Sequence, residues 1–126
     1  IARFHDAAEH EIGIGPNPDF DNAFRRRLIA EEGNETISAM QDGDIVEIVD
    51  GLCDLIYVAL GTAVAMGVHL DPIFREVHRT NMAKVEGGIF KEETNATGST
   101  ERKLIKPQGW ESPRIKEMLI EQGWKL

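Results

Sequence analysis

The sequence is short of most of the residues that announce a chemistry at a glance. It has one cysteine, Cys53, so no intramolecular disulfide can form, and a reducing, cytoplasmic setting fits best. No histidine stands near Cys53 at helical spacing, which argues against a catalytic thiol and for a packing role. The four histidines, His5, His10, His69 and His78, lack the spacing of a metal site and read as surface groups or as supports for a site built by others. Gly13 and Gly15 run straight into Pro16 and Pro18, too short and too proline-rich a loop to cradle a phosphate. Basic charge is also scarce: 14 Lys and Arg against 22 Asp and Glu leave a net charge of −8, which disfavours a grip on a nucleic-acid backbone. The longest apolar run, residues 45 to 66, is interrupted by Glu47, Asp50 and Asp54, so no membrane span is expected. No charged-then-apolar leader opens the sequence, which begins at Ile1 with an initiator Met expected ahead of it. A soluble, cytoplasmic protein is the expectation.

What is present is a length and an apolar content, 126 residues and 41%, that support one core and a single domain over residues 1–126. The core helices are expected over about residues 20–84 and a C-terminal arm over about 87–126. Within the core, two acidic stripes dominate. Glu31, Glu32 and Glu35 form the first, and Glu47, Asp50 and Asp54 the second; spacings of three and four put each set on one helical face. Only Gln41-Asp42-Gly43-Asp44 separates the two helices. So short a connector makes them antiparallel neighbours, which brings Glu35 level with Asp50 and Glu32 level with the turn holding Cys53 and Asp54. The second helix is apolar on nearly every side, the pattern of a central, buried helix, and acids on such a helix are rarely left unneutralised. Stacked carboxylates repel at close range. A divalent cation is the simplest neutraliser, and hard oxygen donors suit Mg²⁺ or Mn²⁺.

The flanking segments read more plainly. Residues 2–12 suggest a first helix with Phe4, Ala8 and Ile12 on one side, ending at Gly13. Asp19 or Asp21 is expected to cap the helix that carries the first stripe. Arg25, Arg26 and Arg27 precede the acids; they read as a solvated face, or as a source of one cation for a substrate phosphate, with Arg27 the choice. Gly67 suits a C-cap, and Asp71-Pro72 restarts a helix whose buried face is expected to hold Ile73, Phe74, Val77 and Met82. From Gly87 the helical period is lost. Ile89-Phe90 and Leu104-Ile105, on either side of Thr94 to Thr100, suggest a small exposed hairpin or arm. Ser112-Pro113 opens a last helix to about Glu121, and Trp110 before it serves either as packing or as a lid over a site.

Glu31-Glu32-Gly33-Asn34-Glu35 followed by Glu47-Ile48-Val49-Asp50 resembles the EExxE and ExxD motif pair of the all-α NTP pyrophosphohydrolases, the MazG-like superfamily. The runs from Asp54 to Thr62 and from Glu76 to Lys84, and the tail Lys106-Pro107-Gln108-Gly109-Trp110, resemble its phosphoribosyl-ATP pyrophosphohydrolase-like branch. The likeness covers most of residues 20–113. In many members a Glu stands three residues before the Asp of the DLLYV-like run; here that place is Gly51, so the ExxD role falls on Glu47 and Asp50, with Asp54 as an added ligand.

Three main helices with a near-continuous apolar second helix give one small chain more apolar surface than it can cover alone, so a homodimer or homotetramer is expected; the resemblance implies the same, an all-α helical bundle with four-helix layers completed by oligomerisation. It implies hydrolysis of a nucleoside triphosphate to the monophosphate and pyrophosphate by a metal-activated water. Glu32, Glu35, Glu47, Asp50 and Asp54 are then expected to hold metal and Glu31 to act as general base. Asn81 and Lys84 match the family's NxxK pair for the nucleotide, with Phe20, Arg27, Lys106 and Trp110 as further substrate contacts. Phe20, Trp110 and the apolar first helix are the residues available for a base-stacking pocket. The superfamily includes enzymes that remove unwanted nucleotides, phage enzymes that reshape the deoxynucleotide pool, and a member acting on phosphoribosyl-ATP. A purine deoxynucleotide such as dGTP is the expected substrate. The competing class is a non-catalytic acidic helical module that binds cations or a basic partner.

Overall fold

The computed structural model describes residues 1–126. Its elements run α1 (Ala2–Ala7), α2 (Asn22–Asp42), α3 (Ile45–Met66), α4 (Leu70–Glu86), β1 (Ile89–Thr94), β2 (Thr100–Ile105) and α5 (Ile115–Glu121). Helices take up 58% of the chain, and one two-stranded sheet accompanies them. The fold is therefore helical with a small hairpin, not purely all-α. The chain forms two compact units, Ile1–Leu70 with Leu119–Leu126, and Asp71–Met118.

In the first unit, α2 and α3 make the most extensive helix pairing. Asp21 is the residue that caps α2, its Oδ1 accepting from Phe24 N at 2.9 Å. Gly43 closes α2 in the left-handed conformation, and Asp44 at once caps α3 by accepting from Val46 N and Glu47 N. Each such cap is worth about 1 kcal/mol. Together they compress the reversal to two residues and fix which side chains lie level. The residues these helices bury are mostly small, Thr36 and Ala39 on α2 and Gly51, Gly61, Ala63 and Ala65 on α3, and the helices approach closely where Gly51 meets Thr36 and Gly61 meets the Arg25 guanidinium. A Cβ at Gly51 would stand 2.5 Å from Thr36 Oγ1 and 3.2 Å from Thr36 Cα, so this approach distance requires glycine.

The loop before α2 completes the end of α3. Gly13 N donates to Val64 O and Asn17 N to Met66 O, both at 2.9 Å, while Asn17 Nδ2 donates to Ala65 O. Three of the carbonyls that a helix C-terminus leaves without an internal partner are thereby satisfied. Gly67 ends α3 in the left-handed region, where a Cβ would run into the Gly15 carbonyl.

Several expectations are corrected here. Helix α1 stops at Ala7, and Glu9 takes a positive φ of 54°, so Ile12 is not on a helix with Phe4. Arg25 is not a solvated cation: it is 4% exposed, with Nη2 donating to Val58 O at 2.8 Å and Nε to Thr62 Oγ1 at 3.1 Å. Burial lowers its pKa and the Glu11 charge opposes that shift. His5 is buried, its Nδ1 2.8 Å from Glu11 O, not a surface group. Cys53 is exposed, not packed.

Helix α3 is central but mostly uncovered. What it buries is small, and its bulky side chains face outward: Val46 is 70% exposed, Ile45 68% and Ile56 61%, with Val49, Leu52 and Leu60 also exposed. Burial of a helix apolar on nearly every side is thus not met within one chain, while the expectation that a single chain carries more apolar surface than it can cover is. By length and composition alone α3 is apolar enough to cross a membrane. Its three carboxylates oppose that, at about 2.5–3.5 kcal/mol for an acid at mid-bilayer.

In the second unit, β1 and β2 pair antiparallel with Ile89 opposite Ile105 and Phe90 opposite Leu104, the two apolar pairs that the sequence had set facing each other. The Arg102 guanidinium lies 3.9 Å from the Phe90 ring centroid. On α4, Ile73 is buried but Phe74 and Met82 are exposed, so the face expected to be inside is only partly so. Trp110 Nε1 donates to Thr80 O at 2.8 Å, tying the tail to α4. Arg79 grips Glu76 through two 2.8 Å hydrogen bonds, and Arg114 N donates to the same carboxylate at 3.3 Å. The Arg79 side-chain hydrogen bonds, then the Arg114 backbone bond, depress the Glu76 pKa to about 2.

A depressed carboxylate pKa contributes stability that is complete above the ordinary value of about 4.3 and is lost as the pH falls through the folded value. Glu76→Gln should therefore lower the thermal midpoint at pH 7, and the gap from wild type should shrink steadily between pH 4.5 and pH 2. Melting curves across that range check it; a gap that stays constant to pH 2 contradicts it.

Candidate carboxylate site

The site is built by the α2–α3 pair. Gly51 lies four residues after Glu47 and three before Asp54, on the face of α3 that meets Thr36. The acids of α3 therefore flank the seam, and a Glu in place of Gly51 would have no room beside Thr36. Thr36 Oγ1 donates to Glu32 O at 2.7 Å, which holds that turn of α2 while the Glu32 side chain stays half-buried. Glu31, Glu35, Glu47, Asp50 and Asp54 are exposed.

Electrostatically the cluster is real. The Glu32 pKa is raised, first by desolvation and then by the charges of Asp54, Glu35, Glu31 and Asp50. Acids from both helices thus act on one carboxyl, with Asp54 the strongest of the charges, as antiparallel levelling requires. Two cavities receive four of the six acids, while Glu31 and Asp50 line neither. One of about 400 Å³ is lined by Glu32 and Asp54 together with Phe4, His10, Leu28, Tyr57 and Val58. The other, about 440 Å³, has Glu35 and Glu47 facing it with Asn34, Ser38, Asp42 and Asp44.

No three His, Cys, Asp or Glu side chains are gathered tightly enough to hold a metal ion. Repulsion among exposed carboxylates accounts for that spread, since each loses energy by approaching the others without a counter-charge. The donors themselves are hard oxygens on one face under a raised Glu32 pKa, a set whose chemistry fits a small divalent cation.

The expected substrate contacts fall into separate groups. Asn81, Lys84, Lys106 and Trp110 come together in the second unit: Lys84 Nζ donates to Asn81 Oδ1 at 3.2 Å, and the Lys84 and Lys106 ammonium groups lie 4.5 and 4.8 Å from the Trp110 ring centroid. Such cation–ring contacts hold both charges in place. Trp110 also lines a cavity of about 400 Å³ with Arg79, Gln108 and Glu111. In the first unit Arg27 sits 5.5 Å from the Phe24 ring, and Phe20 is half-buried in the turn before α2; neither lines the carboxylate cavities.

Sequence reasoning named the apolar first helix, which carries Phe4, for a stacking pocket, but missed His10 and Tyr57 as cavity residues. Tyr57 was within reach, because it follows Asp54 by three residues and shares its face. His10 arrives by a long-range contact for which the sequence carries no signal.

Residues 2–81 match the family model of phosphoribosyl-ATP pyrophosphohydrolase. The match takes in α1, α2, α3 and most of α4, and both acidic stripes. No curated protein matches the chain.

A raised carboxylate pKa carries the opposite sign from that of Glu76: the ionised form costs stability above the folded pKa, and the cost disappears below the ordinary carboxylate range. Asp54→Asn removes the strongest neighbouring charge. In chelator at pH 7 it should raise the melting temperature by roughly 1–3 °C, the scale of exposed charge interactions, and the rise should vanish near pH 3. A lower melting temperature at pH 7 would mean that the acids do not repel.

Proposed function

This chain belongs to the phosphoribosyl-ATP pyrophosphohydrolase family, hydrolases of phosphoric anhydrides within the MazG-like superfamily, and on that footing we propose that it hydrolyses a nucleoside triphosphate to the monophosphate and pyrophosphate. The observation that carries the reading is that acids of two adjoining helices line the same cavities in pairs, Glu32 with Asp54 in one and Glu35 with Glu47 in the other. An unneutralised acidic field between two rigid helices is costly to keep, and such fields collect at functional sites.

Glu32, Glu35, Glu47, Asp50 and Asp54 would hold Mg²⁺ or Mn²⁺; such an ion, when bound, neutralises phosphoryl oxygens and makes water a better nucleophile at neutral pH. Glu31, the exposed acid that begins the stripe, takes the proton from the attacking water. The new bond forms from the water oxygen to the α-phosphorus, the bridging α–β P–O bond breaks, and pyrophosphate leaves with its electron pair. Lys84 and Lys106 supply point charges for phosphate oxygens, and Asn81 offers both a donor and an acceptor. Trp110, fixed by its bond to Thr80, presents those two ammonium groups. Arg27 and Phe20 remain the first-unit contacts assigned to substrate. The substrate we favour is a purine deoxynucleotide such as dGTP, in the cytoplasm, and we take both compact units as one pyrophosphohydrolase domain spanning 1–126.

The uncovered apolar face of α3 supports a homodimer or homotetramer. Ile45, Val49, Leu52 and Ile56 recur at spacings of four and three, the period of a helix–helix seam. At about 1.5–3 kcal/mol for each large side chain buried, that stripe on two copies is on the scale of the cost of association.

A second reading is a non-catalytic acidic helical module whose two stripes bind cations or a basic partner, and a count of ligands does not separate it from the enzyme. Turnover separates the two. Release of monophosphate and pyrophosphate should be seen from at least one of the four dNTPs or GTP with Mg²⁺ or Mn²⁺, dGTP fastest, and Glu35→Gln should lose about 100-fold or more. No turnover on any of them moves the assignment to the module. Ile56→Glu, placing charge in the α3 stripe, should shift sedimentation toward monomer and lower activity with it; a folded, fully active monomer would refute the shared assembly.

A further inference from the structure

The cavity beside Glu32 and Asp54 has a composition that the carboxylate chemistry does not use. Its walls are aromatic and apolar: Phe4 from α1, His10 from the loop that follows, and Tyr57 from α3, with Leu28 and Val58 beside them. The rings meet edge to face. Phe4 lies 5.3 Å from Tyr57 at 82° and 5.7 Å from His10 at 88°. Rings joined by their edges leave faces unstacked, and Phe4 and Tyr57 remain 47% and 40% exposed. A flat ligand ring is the partner that such faces lack.

One polar atom in this cluster is also unpaired. His10 Nδ1 is buried and makes no hydrogen bond, although His10 is packed on Phe4, His5 and Phe24. Buried side-chain nitrogens are nearly always satisfied, so an unsatisfied one in a cavity wall marks a place where a ligand supplies the missing group. An apolar pocket of this size with few convergent polar groups is the usual form of a small-molecule site.

We infer that this cavity seats the nucleobase of the substrate, stacked on Phe4 and Tyr57, with His10 reading a polar edge of the base. The inference rests on the pyrophosphohydrolase reading and deepens it: the base lies against the α1–α3 aromatic cluster, while Glu32 and Asp54 at the same cavity face the phosphate end. It assigns to Phe4 of the first helix and to Tyr57 the stacking role that the sequence suggested for that helix with Phe20 and Trp110. Trp110 is otherwise engaged, its N–H on Thr80 and its ring beside two ammonium groups.

The test is a titration of wild-type protein, with ring resonances of His10 and Tyr57 followed by NMR, using each deoxynucleoside monophosphate and deoxyribose 5-phosphate as the base-free control. Both rings should shift with at least one monophosphate and not with the control. In steady-state assays, Phe4→Leu and Tyr57→Leu should each raise KM about tenfold with kcat changed less than about threefold, the scale of one lost stacking contact; His10→Phe should alter the ratio of KM values between bases. Shifts equal with and without a base, or variants with wild-type KM while Glu35→Gln abolishes turnover, overturn the base seat and leave the pyrophosphohydrolase reading standing. Wild-type protein that neither binds nor turns over any nucleotide overturns both. Should the leucine variants fail to fold, the wild-type titration decides alone.

Discussion

The reversal between α2 and α3 is the constraint on which the rest of the first unit depends. Gly43 in the left-handed conformation and Asp44 as the next cap leave the chain no slack, so residues equally far from the turn are level. Thr36 then meets Gly51, Arg25 meets Val58 and Thr62, and Glu32 feels Asp54. A longer connector would allow the helices to slide, and the acids would then be two unrelated stripes instead of one field. The same levelling requires small residues at the seam, which is why the most apolar helix of the chain buries glycine and alanine and presents its isoleucines to the outside.

That inversion links packing to assembly and chemistry. Close backbone approach along the seam puts the acids at its edges, where most are exposed to solvent and four of them raise the pKa of Glu32. The bulky apolar residues, displaced from the seam, form a surface that a single chain does not cover. Helix-end accounting follows the same logic: the loop at residues 13–17 spends its N–H groups on the last carbonyls of α3, and in doing so holds the following turn close to α2. The aromatic cluster around Phe4 is then carried to the acidic face by α1, which packs on α3.

Legibility in the sequence followed the range of the interaction. The α2 cap to within two candidates, Asp19 or Asp21, the cap Gly67, the short turn at Gly43, and the apolar pairs of the hairpin were all readable, because each depends on a few neighbouring residues and on backbone geometry. The level of Glu32 with Asp54 was readable too, since a short connector turns a long-range contact into local arithmetic. Burial was not. Arg25 reads as one of three exposed arginines, yet it is inside because Val58 O and Thr62 Oγ1 offer acceptors that only the folded pair brings near. Cys53 reads as core and is outside, because the seam chose Gly51 and Gly61 in its place.

By itself, then, the sequence determined the periodic and covalently local features: which segments are helical, where α3 starts and stops, which acids share a face, and the family whose motifs they follow. Those follow from backbone hydrogen bonding and fixed helical spacing, which any segment carries with it. The tertiary structure alone decided which side of α3 is buried, which arginine and which histidine lie inside, and that Phe4, His10 and Tyr57 meet at the acids. Such choices rest on steric fit between segments distant in sequence, where a single hydroxyl at Thr36 against a missing side chain at Gly51 sets the approach of two helices.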